Sequence, residues 1–162
     1  MWNGQPIFIN EYPALQSESD LYIWEHILTS SKLTRLVELG TFKGGLAYFF
    51  SLHCQANNIQ FTTFDILSNE CPPVQEYFIQ HDILNNPNKV RELIARPGRT
   101  LLYCDNGNKP KEVELYHRFL KVNDILAVHD WNTEISQKDI PDNFVMLDYQ
   151  DEESPTRWFI KK

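Results

Sequence analysis

Apolar positions change their period several times along the chain, and each change marks an element. Leu21, Trp24, Ile27 and Leu28 recur at steps of three and four, which predicts an amphipathic helix over 19–31 entered through a Ser or Asp cap. A short apolar run at 36–39 predicts a buried strand. It runs into the turn GTFKGG, after which Leu46, Phe49, Phe50 and His53 predict a helix over 46–56. FTTFDI at 61–66 reads as a second strand. VQEYFIQHDIL at 74–84 reads as a strand ending near Ile79, with a helix as the alternative for its first half. One or two helical turns follow at 88–95, closed by Pro97 and Gly98, and then an apolar strand at 100–104. After a turn-rich loop at 106–109, Pro110 opens a helix over 111–121 whose buried face is Val113, Tyr116, Phe119 and Leu120. ILAVHD at 125–130 is the fifth strand. FVMLDY at 144–149 and RWFIKK at 157–162 flank the acidic turn DEESP as a closing antiparallel hairpin. Residues 1–17, with Pro6 and Pro13, read as an irregular arm carrying at most a short strand at 7–9.

Strands alternating with helices predict a single α/β domain over 1–162, a mainly parallel sheet with helices on both faces. An acid stands at the end of every predicted parallel strand: Glu38, Asp65, Asp82, Asp105 and Asp130. In such a sheet the carboxyl edge is where ligands bind, at the point where strand order reverses. The agreement in position among the five is stronger evidence than any one of them.

Composition narrows the function. A chain of 162 residues with 42% hydrophobic and 23% charged residues is of ordinary globular make-up, and it holds no apolar run near the roughly 20 residues that span a bilayer. The start MWNGQPIFIN lacks a signal-peptide pattern, so a cytoplasmic location and no membrane partner are expected. Cys54, Cys71 and Cys104 make no CxxC pair and fit isolated buried thiols. A net charge of −7 argues against a nucleic-acid partner, because such affinity comes from cations that replace counterions at phosphates. It leaves room for a small nucleotide held by backbone amides and by acids gripping a ribose.

The turn ELGTFKGG lets a ligand approach the backbone at Gly40 and Gly44. It lacks the GK[ST] ending of a triphosphate loop, and Phe42 replaces the second glycine of GxGxxG. An acid two residues before a glycine and a further glycine four on resembles the first motif of class I S-adenosylmethionine-dependent methyltransferases, which have a Rossmann-like sheet. The resemblance implies that Glu38 and the backbone of Gly40, Thr41 and Gly44 lie beside the methionine part of the cofactor. It also implies that Asp65 grips the ribose hydroxyls and Asp82 meets the adenine amino group. Over 36–131, VELGTFKGG, LLYCDNGNKPKEVELY and LKVNDILAVHDW resemble the small methyltransferases grouped with cephalosporin hydroxylase and the macrolide and rhamnosyl O-methyltransferases. There, acids at the tips of the fourth and fifth strands hold a magnesium ion. The matching residues are Asp105, counted with the cofactor site as well, and Asp130, with Asn132 as a third oxygen ligand. Magnesium takes oxygen ligands and keeps several waters, so two carboxylates suffice.

His129 is the local candidate for a catalytic base beside Asp130, although a continuing strand would put the two on opposite faces. Trp131, Tyr103 and Trp2 are candidates to wall the acceptor or stack on adenine. The leading expectation is therefore an enzyme that methylates a hydroxyl of a small molecule or sugar, with magnesium as a candidate helper. The alternative is a methyltransferase-like binding or assembly module without turnover, suggested by the want of a lid after Asp130. A nicotinamide oxidoreductase is a weaker third reading, opposed by Phe42 and the closing hairpin. A chain without a lid also makes a homo-oligomer, with the lid lent by a partner subunit, a candidate state.

Overall fold

The computed structural model describes residues 5–149 and 154–162. The parallel strands β3 (Arg35–Leu39), β4 (Gln60–Asp65), β5 (Phe78–Gln80), β6 (Thr100–Cys104) and β7 (Ile125–Val128) form, with β8 (Phe144–Met146) and β9 (Arg157–Lys161), a seven-stranded sheet in the order β5-β4-β3-β6-β7-β9-β8. β9 runs antiparallel between β7 and β8, which is the predicted hairpin. Asp151, Glu152 and Glu153 of the acidic turn, and Trp2, lie outside the described residues.

Alternation along the strands sorts the core into two layers. Leu36 of β3, Leu101 and Tyr103 of β6 and Ile125 and Ala127 of β7 pack beneath α1 (Glu18–Ser30) and α2 (Gly45–Ala56). Their neighbours Val37, Leu102, Cys104, Leu126 and Val128 face the side of α3 (Asn88–Ile94) and α4 (Lys109–Tyr116). Helices thus cover both faces, and the strands read as near-continuous apolar runs because both sides are buried. Trp24 anchors the first layer, fully buried, with its ring edge-on to Phe50 and Tyr103 at 4.9 Å and to Trp158 at 5.3 Å.

Strand order reverses between β3 and β6. The register pairs Leu39 with Cys104, so Gly40 and Asp105 emerge side by side from the middle of the sheet. That position is the expected ligand crevice.

Three elements differ from the sequence reading. The N-terminal arm is folded: β1 (Ile7–Ile9) and β2 (Tyr12–Ala14) form an antiparallel hairpin seated on the start of α2. Gly45 permits that seat, since a Cβ there would fall 2.4 Å from the Pro13 carbonyl oxygen. The fourth helix begins at Lys109 rather than 111, because the Asn108 side chain caps it by accepting from the Lys111 N–H at 3.2 Å. It gives way after Tyr116 to a 3-10 turn at His117–Phe119. The fifth parallel strand stops at Val128, and Asp130 takes φ +56°, a left-handed conformation that aspartate tolerates better than most residues. The segment at 74–84 forms β5 preceded by a 3-10 turn at Pro72–Val74, so the helical alternative for it falls away.

Candidate functional site

A cavity of about 210 Å³ opens at the β3–β6 switch point. Glu38, Gly40, Thr41, Asp105, His129 and Asp130 line it, which unites six of the residues singled out from the sequence. Pro13 to Gln16, the end of the N-terminal hairpin and the entry to α1, form the facing wall. That wall was not legible as part of a site.

At the β3 side the glycine turn holds the backbone in three left-handed steps, Gly40 at φ +102°, Phe42 at +50° and Gly44 at +86°. Gly40 is required twice over, because a Cβ would also collide with the Asp105 carbonyl oxygen at 2.4 Å. Glu38 projects inward, 1% exposed. One of its oxygens is engaged by the Thr63 hydroxyl, which also pairs with the Thr41 hydroxyl at 2.6 Å. Its Oε2 is buried, with no hydrogen-bond partner among the described residues. Burial raises the Glu38 pKa well above the ordinary range; the Thr63 bond opposes this, and the charges of Asp105 and Asp65 add to it. A buried acceptor left unpaired costs about 1–3 kcal/mol, so this oxygen awaits a donor.

Asp65 stands at the rim. Its Oδ2 accepts from the Phe42 N–H at 2.9 Å and its Oδ1 from the Leu67 N–H at 3.0 Å, so it ties the glycine turn to the tip of β4. Each oxygen keeps a second lone pair. Gly44 caps α2 just behind the cavity. Asp82 lies apart, its carboxylate accepting from the Leu84 and Asn85 amides at 3.2 and 3.0 Å and from the Asn85 side chain at 2.8 Å, so it closes its own turn.

At the β6–β7 side the charges converge. His129 Nδ1 lies 3.2 Å from Asp105 Oδ1 and 3.3 Å from Asp130 Oδ1. The left-handed Asp130 bends the chain back, so the two neighbours meet where a continuing strand would have separated them. Lys109, its side chain 5% exposed, reaches into the same cluster, with Nζ 2.6 Å from Asp130 Oδ2, 2.9 Å from Glu134 Oε2 and 3.5 Å from Asp105 Oδ1. Asp105 Oδ2 accepts from Tyr103 Oη at 3.1 Å, and Tyr103 in turn accepts from Gln16 Nε2 at 2.9 Å. A hydrogen-bonded relay thus runs from the N-terminal wall to the cluster.

Burial by itself would lower the Lys109 pKa, but the charge of Asp105 and the bonds to Asp130 and Glu134 outweigh it and hold the ammonium above the usual lysine range. Burial would lower His129 as well, yet Asp105 and Asp130 push it up to about 10. Asp130 is held far below the ordinary carboxylate range, first by His129 and then, against its partial burial, by Lys109.

Lys109, Glu134 and Gln16 are site residues that the sequence reading missed. One signal was present: a lysine at the first position of a helix opposes the helix dipole, so it needs acids nearby. Asn132 is exposed, its N–H bonded to the Ile135 carbonyl at 2.8 Å, and it lies outside the cavity. Tyr103 is fully buried and Trp131 packs on Phe159 with centroids 5.6 Å apart, so neither walls the cavity.

By donor chemistry Asp105, His129 and Asp130, whose ligand atoms lie within 4.8 Å of one another, suit a divalent cation. Glu38 Oε2 suits a cationic donor such as the ammonium of an amino-acid moiety.

No protein-family model matches the chain, and no curated protein matches it in sequence. Solved structures do. The chain superposes on CmcI with Mg-SAM at a TM-score of 0.65 and 15% identity, over 80% of this chain and 59% of that one, so it spans less than two-thirds of CmcI. A candidate caffeoyl-CoA O-methyltransferase from Staphylococcus aureus matches at a TM-score of 0.65 and 14% identity, over 95% of this chain and 88% of that one. An S-adenosyl-L-methionine methyl transferase from Silicibacter pomeroyi DSS-3 matches at 0.61 and 15%, over 91% and 99%. The chain has the fold of the S-adenosylmethionine-dependent methyltransferases.

Proposed function

We propose that this protein transfers the methyl group of S-adenosylmethionine to a hydroxyl oxygen of a small molecule or sugar. The observation that carries the reading is the buried, unpartnered Oε2 of Glu38 facing the cavity beside a left-handed glycine turn. Glu38, with the backbone of Gly40, Thr41 and Gly44, takes the methionine end of the cofactor. Binding its ammonium reverses the penalty that burial imposes on the Glu38 carboxylate. Asp65 receives the ribose hydroxyls through its free lone pairs. A cavity of about 210 Å³ is below the usual range of 300–1,000 Å³ for small-molecule pockets, so it accommodates the methionine end while the nucleoside extends over the rim.

Methyl transfer forms one C–O bond as one C–S bond breaks. The acceptor oxygen must stand about 3 Å from the methyl carbon, in line with the sulfur, and must lose its proton. Asp105, Asp130 and His129 line the β6–β7 side of the same cavity, across from Glu38, where the acceptor would meet the sulfonium. His129, in its neutral form, takes the proton and Asp130 orients it. Asp105 and Asp130 are the residues that would hold magnesium. When bound, that ion would lower the pKa of an acceptor hydroxyl.

Isothermal titration with S-adenosylmethionine and S-adenosylhomocysteine tests the reading. Saturable binding of both is expected. Folded protein that binds neither would overturn it.

A further inference from the structure

The donors that suit a divalent ion are already in contact with a cation. Lys109 Nζ carries three N–H donors and has three carboxylates within 3.5 Å, from Asp130, Glu134 and Asp105, in a pocket that leaves its side chain 5% exposed. Its placement is not a helix requirement. Lys109 opens α4 at the end where the dipole disfavours positive charge, and only the facing acids make the position favourable.

A magnesium or manganese ion bound by Asp105 Oδ1 and Asp130 would sit at about 2.0–2.2 Å from each oxygen. Asp130 Oδ2 already has the ammonium at 2.6 Å, and His129 Nδ1 lies 3.2 and 3.3 Å from the oxygens that remain. An ammonium has no lone pair to offer a metal, so at this range it can only repel one.

We propose that the Lys109 ammonium is a tethered cation that competes with a divalent ion for the carboxylates of Asp105 and Asp130, and so sets the metal affinity of this site. With Lys109 inserted, the acids are neutralised from within the chain. With Lys109 drawn off Asp105 and Asp130 and kept by Glu134, which it already contacts at 2.9 Å, the same acids are released to an ion. Metal dependence is then a property of one side chain rather than of the acid pair. The inference rests on reading Asp105 and Asp130 as metal ligands and is independent of methyl transfer.

The test is Mn²⁺ binding by the full chain, followed by calorimetry and by the electron paramagnetic resonance signal of free Mn²⁺. Lys109→Gln and Lys109→Met are expected to bind Mn²⁺ at least about tenfold more tightly than the natural protein, because a like charge beside the ion is gone. Adding Asp130→Asn to Lys109→Gln is expected to abolish that gain. Variants that bind Mn²⁺ no better than the natural protein would overturn the proposal. S-adenosylhomocysteine titrated into the same samples separates the two readings: if it still binds, the competition fails alone and the methyltransferase reading stands. Should neither variant fold, the lysine ammonium resonances of the natural protein decide. Loss of the Lys109 signal as Mg²⁺ saturates the protein supports competition; saturable Mg²⁺ binding that leaves the signal in place, or no binding at any Mg²⁺ concentration, refutes it.

Discussion

The two ends of the cavity use acids in opposite ways. On the β3 side Glu38 is buried, bonded to the neutral Thr63 hydroxyl and facing the negative charges of Asp105 and Asp65, and among the described residues one of its oxygens has no partner. On the β6–β7 side Asp105 and Asp130 are crowded by Lys109 and His129. The first end is short of positive charge and the second is supplied with it. An incoming cationic group therefore gains most at Glu38, whereas a cation entering the second end must displace one that the chain provides.

Deleting charge at each end breaks this comparison most strongly. Lys109→Met leaves three carboxylates facing one another. Removing one partner of a buried ion pair costs 3–5 kcal/mol, and partial exposure of the acids reduces this to about 2–3 kcal/mol, measurable by urea unfolding at neutral pH. Millimolar Mg²⁺ is expected to restore part of the loss in this variant and none in the natural protein. Glu38→Gln keeps the shape and removes an ionisation that burial opposes, so stability stays within about 0.5 kcal/mol or rises. S-adenosylmethionine affinity in that variant is expected to fall roughly tenfold or more, since a hydrogen bond to a charged group contributes about 1.5–3 kcal/mol. Equal destabilisation by the two substitutions would mean that the ends are electrostatically alike.

Proton linkage separates the ends by pH. Glu38 is raised above its ordinary 4.5, so the unfolded chain loses this proton first, and stability falls as pH rises above about 4.5. His129 moves from 6.5 to about 10. Its contribution is complete below 6.5 and is lost as pH climbs through 10, with a slope under about 1.4 kcal/mol per pH unit. Glu38→Gln should flatten the lower part of the stability profile and His129→Asn the upper part. If neutral His129 is the base, the methylation rate moves the other way and rises toward pH 10 as stability declines. A rate that is level from pH 7 to 10 would remove His129 from that role.

Much of this arrangement is legible in the sequence. Runs such as LLYC and ILAV are apolar throughout because the strands are covered on both faces, and Glu38, Asp105 and Asp130 fall at or near strand ends, so the crevice could be located from order alone. What escaped depends on contacts between distant segments. The hairpin at Ile7–Ile9 and Tyr12–Ala14 is too short, and too interrupted by Pro13, to show a period; it forms against α2 where Gly45 admits it. The cluster escaped for a different reason. A period of two separates His129 from Asp130, and only the left-handed step at Asp130 brings them together and turns a carboxylate toward Lys109. Asp82 illustrates the reverse case: its position matched a pattern, while its bonds are those of a local turn.

The smallest expected effect concerns the glycine turn at the β3 end. Phe42, 55% exposed, holds φ +50°, with its N–H donated to Asp65 and its carbonyl accepting from Asn69 Nδ2 at 2.8 Å. Glycine at this position would relieve roughly 1–2 kcal/mol of left-handed strain. Against that stand about 0.5–1 kcal/mol of added chain entropy and about 1 kcal/mol for the apolar area of a ring less than half buried. The terms nearly cancel, so Phe42→Gly should change stability by no more than about 0.5 kcal/mol, since both backbone bonds survive the substitution. A loss above about 1.5 kcal/mol in chemical unfolding would show that the ring, rather than the backbone bonds to Asp65 and Asn69, fixes the turn. The β3 end would then depend on apolar packing at its rim, and its contrast with the charge-bound β6–β7 end would widen.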